Sequence, residues 1–214
     1  LVTKEDKELS DRWRWIILAL AYLCMLCFAF TFQSVPPVLP LIISDLRLTR
    51  AEGGLLMSLF SMPAILLAIL GGSLLDRYGT FKIGIICLVL TIIGNLMLAT
   101  SSSFLYIGLG RFISGAGGVI VSLMAVVLVS QWFRDLEMGM AMGIYNTAIP
   151  AGAILSLTTF GVIGESSGWR IPILIITLLC IVGLAAFVLL HRPPRKKGNT
   201  TKEGFFSLVS LRKI

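Results

Sequence analysis

The sequence predicts an all-α membrane protein with six transmembrane helices arranged as two inverted three-helix repeats. Three observations lead there. Hydrophobic residues make up 57% of the 214-residue chain and charged residues only 14%, whereas a soluble domain carries about 25% charge. The apolar residues fall into six runs, each near the ~20 residues that a membrane helix needs. Shifting the sequence by 89 residues lays Gly72, Asp76 and Gly79 on Gly161, Glu165 and Gly168.

A polar tail, residues 1–14, precedes the spans. The spans run over 15–35, 53–75, 83–100, 104–130, 138–162 and 170–190, making a six-helix domain of 15–190. Pro36, Pro37 and Pro40 stand at the outer end of the first span, where missing N–H groups cap or bend a helix. Short turns join the second span to the third and the fourth to the fifth, and Ser101, Ser102 and Ser103 join the third to the fourth. Residues 191–214 form a polar, basic segment that leads toward a missing second half. Leu1 in place of an initiator Met points to a fragment or a processed chain.

Lys and Arg set the orientation. Fourteen lie in the two tails, in the 2–3 turn and in the 4–5 turn (Arg134), against Arg47, Arg50 and Arg170 on the other side. By the positive-inside rule both termini are cytoplasmic in the cell membrane. The net charge of +7 is therefore a topology signal, and no nucleic-acid partner is expected. Cys24, Cys27, Cys87 and Cys180 all lie inside apolar runs, so they read as inert thiols with no metal role.

Three helices per repeat place the second copy upside down in the membrane, a common transporter design with solute bound near the midplane. The same shift also lays Gly54 on Gly143, Ser58 on Thr147 and Ala64-Ile65-Leu66 on Ala153-Ile154-Leu155.

Three motifs then carry a family resemblance. Gly72-Ser73-Leu74-Leu75-Asp76-Arg77-Tyr78-Gly79-Thr80-Phe81-Lys82 resembles the 2–3 loop motif G-x-L-x-D-R-x-G-R-R-K of the major facilitator superfamily. Thr80 and Phe81 replace its basic pair. Arg111-Phe112-Ile113-Ser114-Gly115-Ala116-Gly117 resembles the fourth-helix motif R-x-x-Q-G-x-G, with Ser114 for Gln, and Gly168-Trp169-Arg170 is a weaker match. The resemblance implies half of a twelve-helix fold in which two six-helix halves face each other across a cavity. It implies a secondary active transporter for a small solute, working by alternating access. No cofactor is implied beyond a coupling ion, proton or sodium, as in symport. The partners it implies are the solute, the lipid bilayer, and a C-terminal six-helix half or a second copy.

The resemblance makes Gly72, Asp76, Arg77, Gly79 and Lys82 a gating element, in which Asp76 meets the missing half and holds the outward-facing state. Physically, a carboxylate at a helix end can bond exposed N–H groups, and glycines allow close approach and a tight turn. Arg111 is the one charge well inside a span. It shares a helix face with Ser114, Gly115, Gly118 and Ser122. That small, polar face predicts water or solute at Arg111, an electropositive cavity and an anionic solute; carbonyl pairing is the alternative.

Gln33, Tyr145 and Asn146 are the other candidate binding residues. Pro150 is a candidate hinge, and Gly115 and Gly118 serve packing. Drug–proton antiporters of the family carry G-x-x-x-G-P-x-x-G-G in the fifth span, from which Ile149 and Ala153-Ile154 depart. A drug/proton antiporter and a half-size carrier acting as a dimer are the alternative readings. An enzyme is not expected: an intramembrane serine protease built on Ser114 needs a nearby base, and the sole His191 falls at the end of another span.

Overall fold

The computed structural model of the chain describes residues 4–133 and 136–191. The described elements are helical throughout: α1 (Lys4–Phe32), a 3-10 turn (Pro36–Val38), α2 (Leu39–Leu46), α3 (Arg50–Tyr78), α4 (Thr80–Ala99), α5 (Phe104–Trp132), α6 (Leu136–Asn146), α7 (Ala148–Ser167) and α8 (Arg170–Leu190). They make six segments long and apolar enough to cross a membrane. Arg134 and the basic run after His191 lie outside the described residues.

Two spans are broken, and proline chemistry explains both breaks. Pro36 and Pro37 lack the N–H groups that would take the carbonyls of Phe32 and Gln33. α1 therefore stops at Phe32, and the chain re-enters helix as α2, which runs on to Leu46. The prolines bend the first span instead of closing it at residue 35, and the apolar length reaches Leu46. In the fifth span the break falls at Thr147. Starting α7 at Ala148 makes Pro150 its third residue, where an N–H has no intrahelical acceptor to serve.

α5 is the most buried span; α3 and α7 are the least. The centre is set by glycine. A Cβ on Gly110 would stand 2.8 Å from the Gly94 carbonyl oxygen, and one on Gly117 2.5 Å from that of Cys87. The α4 and α5 backbones thus touch, the packing that small residues give membrane helices. One core lies toward the N-terminal face around Ile17, Leu88, Met124 and Phe187. A second, around Ile42, Leu56, Ile107 and Trp169, lies toward the opposite face.

The inverted repeat is visible in the backbone. Gly79 joins α3 to α4 at φ +82°, ψ 153°, and Gly168 precedes α8 at φ +89°, ψ 148°. Each donates its N–H at 2.9 Å to the carbonyl four residues back, Leu75 and Gly164. Positive φ at these corners is the reason both positions are glycine. With six alternating spans, one corner lies on each face of the membrane domain.

Candidate functional site

The turn from Gly72 to Lys82 is built by the end of α3 and the start of α4. Asp76, Arg77 and Lys82 are all exposed. Asp76 forms no hydrogen bond or ion pair with another described residue, and Arg77 only overlies its neighbour Tyr78, 5.5 Å from the ring centroid. Gly79 supplies the tight corner. The closeness expected at Gly72 is not made within this chain: a Cβ there would meet nothing within 4 Å. The whole charged turn is open toward whatever lies beyond these six spans.

Arg111 is placed otherwise than its polar helix face predicts. It is 0% exposed. Its guanidinium donates to the carbonyls of Thr31 (2.9 Å), Leu56 (3.3 Å) and Phe32 (3.4 Å) and to Ser34 Oγ (3.2 Å). Its carbon sits 4.5 Å from the Phe60 ring centroid. The face that was to be wet is packed: Gly115 lies against the Phe60 backbone, and a Cβ on Gly118 would come within 3.1 Å of the Phe28 ring. The physical reason is the broken first span. The carbonyls at the end of α1 have no intrahelical donors and carry the negative end of the helix dipole. A buried fork of five N–H donors suits them. Carbonyl pairing is the arrangement found.

The remaining candidates scatter. Ser114 is buried and donates to the Arg111 carbonyl at 3.1 Å. Tyr145 is also buried, its hydroxyl 3.0 Å from both the Ser122 carbonyl and Met25 Sδ, so it is spent on packing α6 against α5 and α1. Gln33 is half-buried just past α1, and its carbonyl accepts from Ser156 Oγ at 2.8 Å. Asn146 is exposed at the α6–α7 break beside Thr147, whose hydroxyl lies 3.5 Å from that of Tyr22. Of the five, Asn146 and Gln33 keep side chains near open space, and the structure does not gather them around Arg111.

The sequence profile of the Major Facilitator Superfamily matches residues 13–214. The chain belongs to the major facilitator superfamily. Within that superfamily it is 26% identical to a lysosomal dipeptide transporter of Danio rerio, over 68% of this chain and 33% of the relative. It is 26% identical to a hexuronate transporter of Bacillus subtilis, over 76% of this chain and 38% of the relative. It is 29% identical to a quinolone resistance protein of Staphylococcus aureus, over 81% and 44%. The chain spans less than half the length of these curated relatives.

Three features of this superfamily member escaped the sequence reading. Asp45 accepts from Trp169 Nε1 and from Arg170, both at 2.9 Å, and Arg170 also donates to the Ser101 carbonyl at 3.0 Å. This clasp ties the end of α2 to α8 beside Gly168. Its signal was present, one acid and one Arg facing the same side, but their pairing is 125 residues apart in sequence. Asn95, fully buried in α4, donates to Thr31 Oγ1 at 3.2 Å. A lone amide inside an apolar span would have flagged it. Ser58 and Ser61 are exposed on the concave side of α3, and only a knowledge of which helix face is open brings them forward.

Proposed function

We propose that the chain is one half of a solute carrier that works by alternating access. Its two three-helix repeats move as one body against a second six-helix half, either on the same polypeptide or supplied by a second copy. The observation that carries this reading is the pair of glycine corners, one clasped and one open. At the Gly168 corner Trp169 and Arg170 are tied to Asp45 inside the half, while Glu165 stays exposed. At the Gly79 corner an exposed carboxylate at a helix end awaits a donor from outside. A carboxylate there gains most by meeting the N-terminal end of a helix from the other half.

The fourteen-to-three bias of Lys and Arg puts the Gly79 corner and both termini in the cytoplasm. The relatives carry solutes as different as dipeptides and hexuronates by their names, so family membership leaves the solute class to the site itself. The anionic solute expected from Arg111 loses its support, because the guanidinium would first have to leave its carbonyl and hydroxyl partners. The test is uptake into vesicles that hold the chain with its completing half. Asp76→Asn lowers the rate about tenfold, the loss of roughly 1.4 kcal/mol of one charge-assisted contact, with membrane insertion unchanged. Wild-type uptake by that variant would remove the gate.

A further inference from the structure

We propose that the solute-facing surface of this half is the uncharged groove on either side of Met62, and that it takes a neutral, largely apolar solute of aromatic size. The proposal rests on the carrier reading and names its substrate class. Two concavities adjoin at Met62. One, of about 570 Å³, lies between α1 and α3 and is lined by Phe32, Met57, Ser58, Ser61 and Ile65. The other, of about 330 Å³, lies between α3 and α5 and is lined by Leu59, Phe104, Leu109 and Phe112 among others. Volumes of about 300–1,000 Å³ are those of small-molecule sites.

The lining contains no charged side chain. The nearest buried cation is sealed from it by aromatic contact: Phe32 packs on Phe60 at 5.4 Å between centroids, and Phe60 packs on the Arg111 guanidinium. An anion in the groove would be desolvated with nothing to pair it. A polarisable apolar solute would instead meet Met57, Met62 and three phenylalanines.

Polar complementarity is small and local. Ser61 is exposed and has no hydrogen-bond partner among the described residues, while Ser58 holds only a 3.4 Å contact to the Gly54 carbonyl. Pro63 lies within α3, and its ring withholds the N–H that the Leu59 carbonyl would accept. Ser61 stands eleven residues into α3, about 16 Å from the membrane surface at ~1.5 Å per residue. The two hydroxyls at mid-depth of α3 suit a solute with one or two hydrogen-bonding groups, and a lipid tail would leave them unsatisfied.

The four cysteines of this chain are buried, so labelling of Ser61→Cys is read as the increase over the parent protein in native membrane vesicles. N-phenyl-1-naphthylamine is neutral, and its sulfonated analogue 8-anilinonaphthalene-1-sulfonate has the same rings with a negative charge. The neutral probe should slow maleimide labelling of Ser61→Cys about fivefold, and the sulfonate at equal free concentration should leave it unchanged. Ser73→Cys, on the same helix but away from the groove, should be slowed by neither.

Direct fluorescence titration gives a second reading: the purified protein binds the neutral probe, and Met62→Gln weakens it about fivefold. Equal protection by the sulfonate, no protection by either probe, or equal slowing at Ser73→Cys would overturn the proposal. So would a Ser61→Cys thiol that reagents never reach, because the second half or a lipid then fills the groove. The gate is read separately through the uptake rate of Asp76→Asn, which needs no thiol at position 61, so either reading can fail without the other.

Discussion

The two glycine corners of the membrane domain share one backbone device and differ in what the residues after it touch. Gly79 and Gly168 turn the chain at nearly the same positive φ, and each follows a carboxylate by three residues, Asp76 and Glu165. At the Gly168 face the next two residues, Trp169 and Arg170, reach across to Asp45 and Ser101 and tie α8 to the end of α2 and to the α4–α5 turn. At the Gly79 face Asp76, Arg77 and Lys82 stay exposed. The ties made on that face are an ion pair, Arg14 to Glu137 at 2.6 Å, and an aromatic stack in which Phe81 lies 5.0 Å and Phe187 5.1 Å from the His191 imidazole. The repeat thus keeps one turn geometry while the residues after it differ: Trp169 and Arg170 clasp Asp45, whereas Asp76, Arg77 and Lys82 form no ion pair among the described residues.

The largest disturbance of this comparison should come from Arg111. It fixes the bend after α1 from which α2 carries Asp45 to its clasp. Arg111→Gln removes the four guanidinium hydrogen bonds that join α5 to α1, α3 and Ser34, so a loss of about 3 kcal/mol in unfolding stability is expected. Thermal unfolding in detergent measures it. Arg111→Lys should recover only part, because a point charge cannot serve three carbonyls in a fork.

Asp45→Asn comes next. The ion pair with Arg170 is partly solvated, 42% and 47% exposed on its two sides. The bonds to Trp169 and Arg170 are therefore screened by solvent, and their loss should lower the unfolding temperature only slightly beside that of Arg111→Gln. Asp76→Asn in the same assay should cost nothing, having no partner among the described residues to lose. Equal losses for the two variants would erase the distinction between the faces.

The six spans and the repeat were legible in the sequence because each depends on local composition or fixed spacing. Asp76 and Gly79 were legible for the same reason: a helix end and a positive-φ corner are local facts. Arg111 was located as the unusual residue, but its surroundings were not. Its helix face is small and polar whether water or another backbone lies against it, since Gly115 and Gly118 serve close packing as well as a cavity. Pairings such as Asp45 with Arg170, and the open side of α3 that displays Ser61, depend on how separate helices assemble. Periodicity does not encode that.

The smallest effect expected is at His191. Burial among Phe81 and Phe187 holds its imidazole below the ordinary value. A lowered folded value means that the neutral form is favoured, so the stack is intact above about pH 6.5 and loses stability as pH falls through that value. His191 is the only histidine in the chain, so a single imidazole resonance reports the titration. Its midpoint should lie below about 6.5 and rise toward it in Phe81→Leu. A midpoint unmoved by Phe81→Leu would separate His191 from the Gly79 turn.

The central claim is that Asp76 serves a partner beyond this half, whereas Asp45 serves this half alone. The direct measurement is the rate at which an impermeant maleimide, added from the outer face of native vesicles, labels Ser61→Cys at mid-depth of α3. Asp76→Asn weakens the outward-facing state and should slow that labelling about fivefold, a shift of roughly 1 kcal/mol in the balance of states. Asp45→Asn should leave it within twofold of the parent, a margin of about 0.4 kcal/mol. Unchanged labelling with Asp76→Asn, or an equal change with Asp45→Asn, would contradict the account.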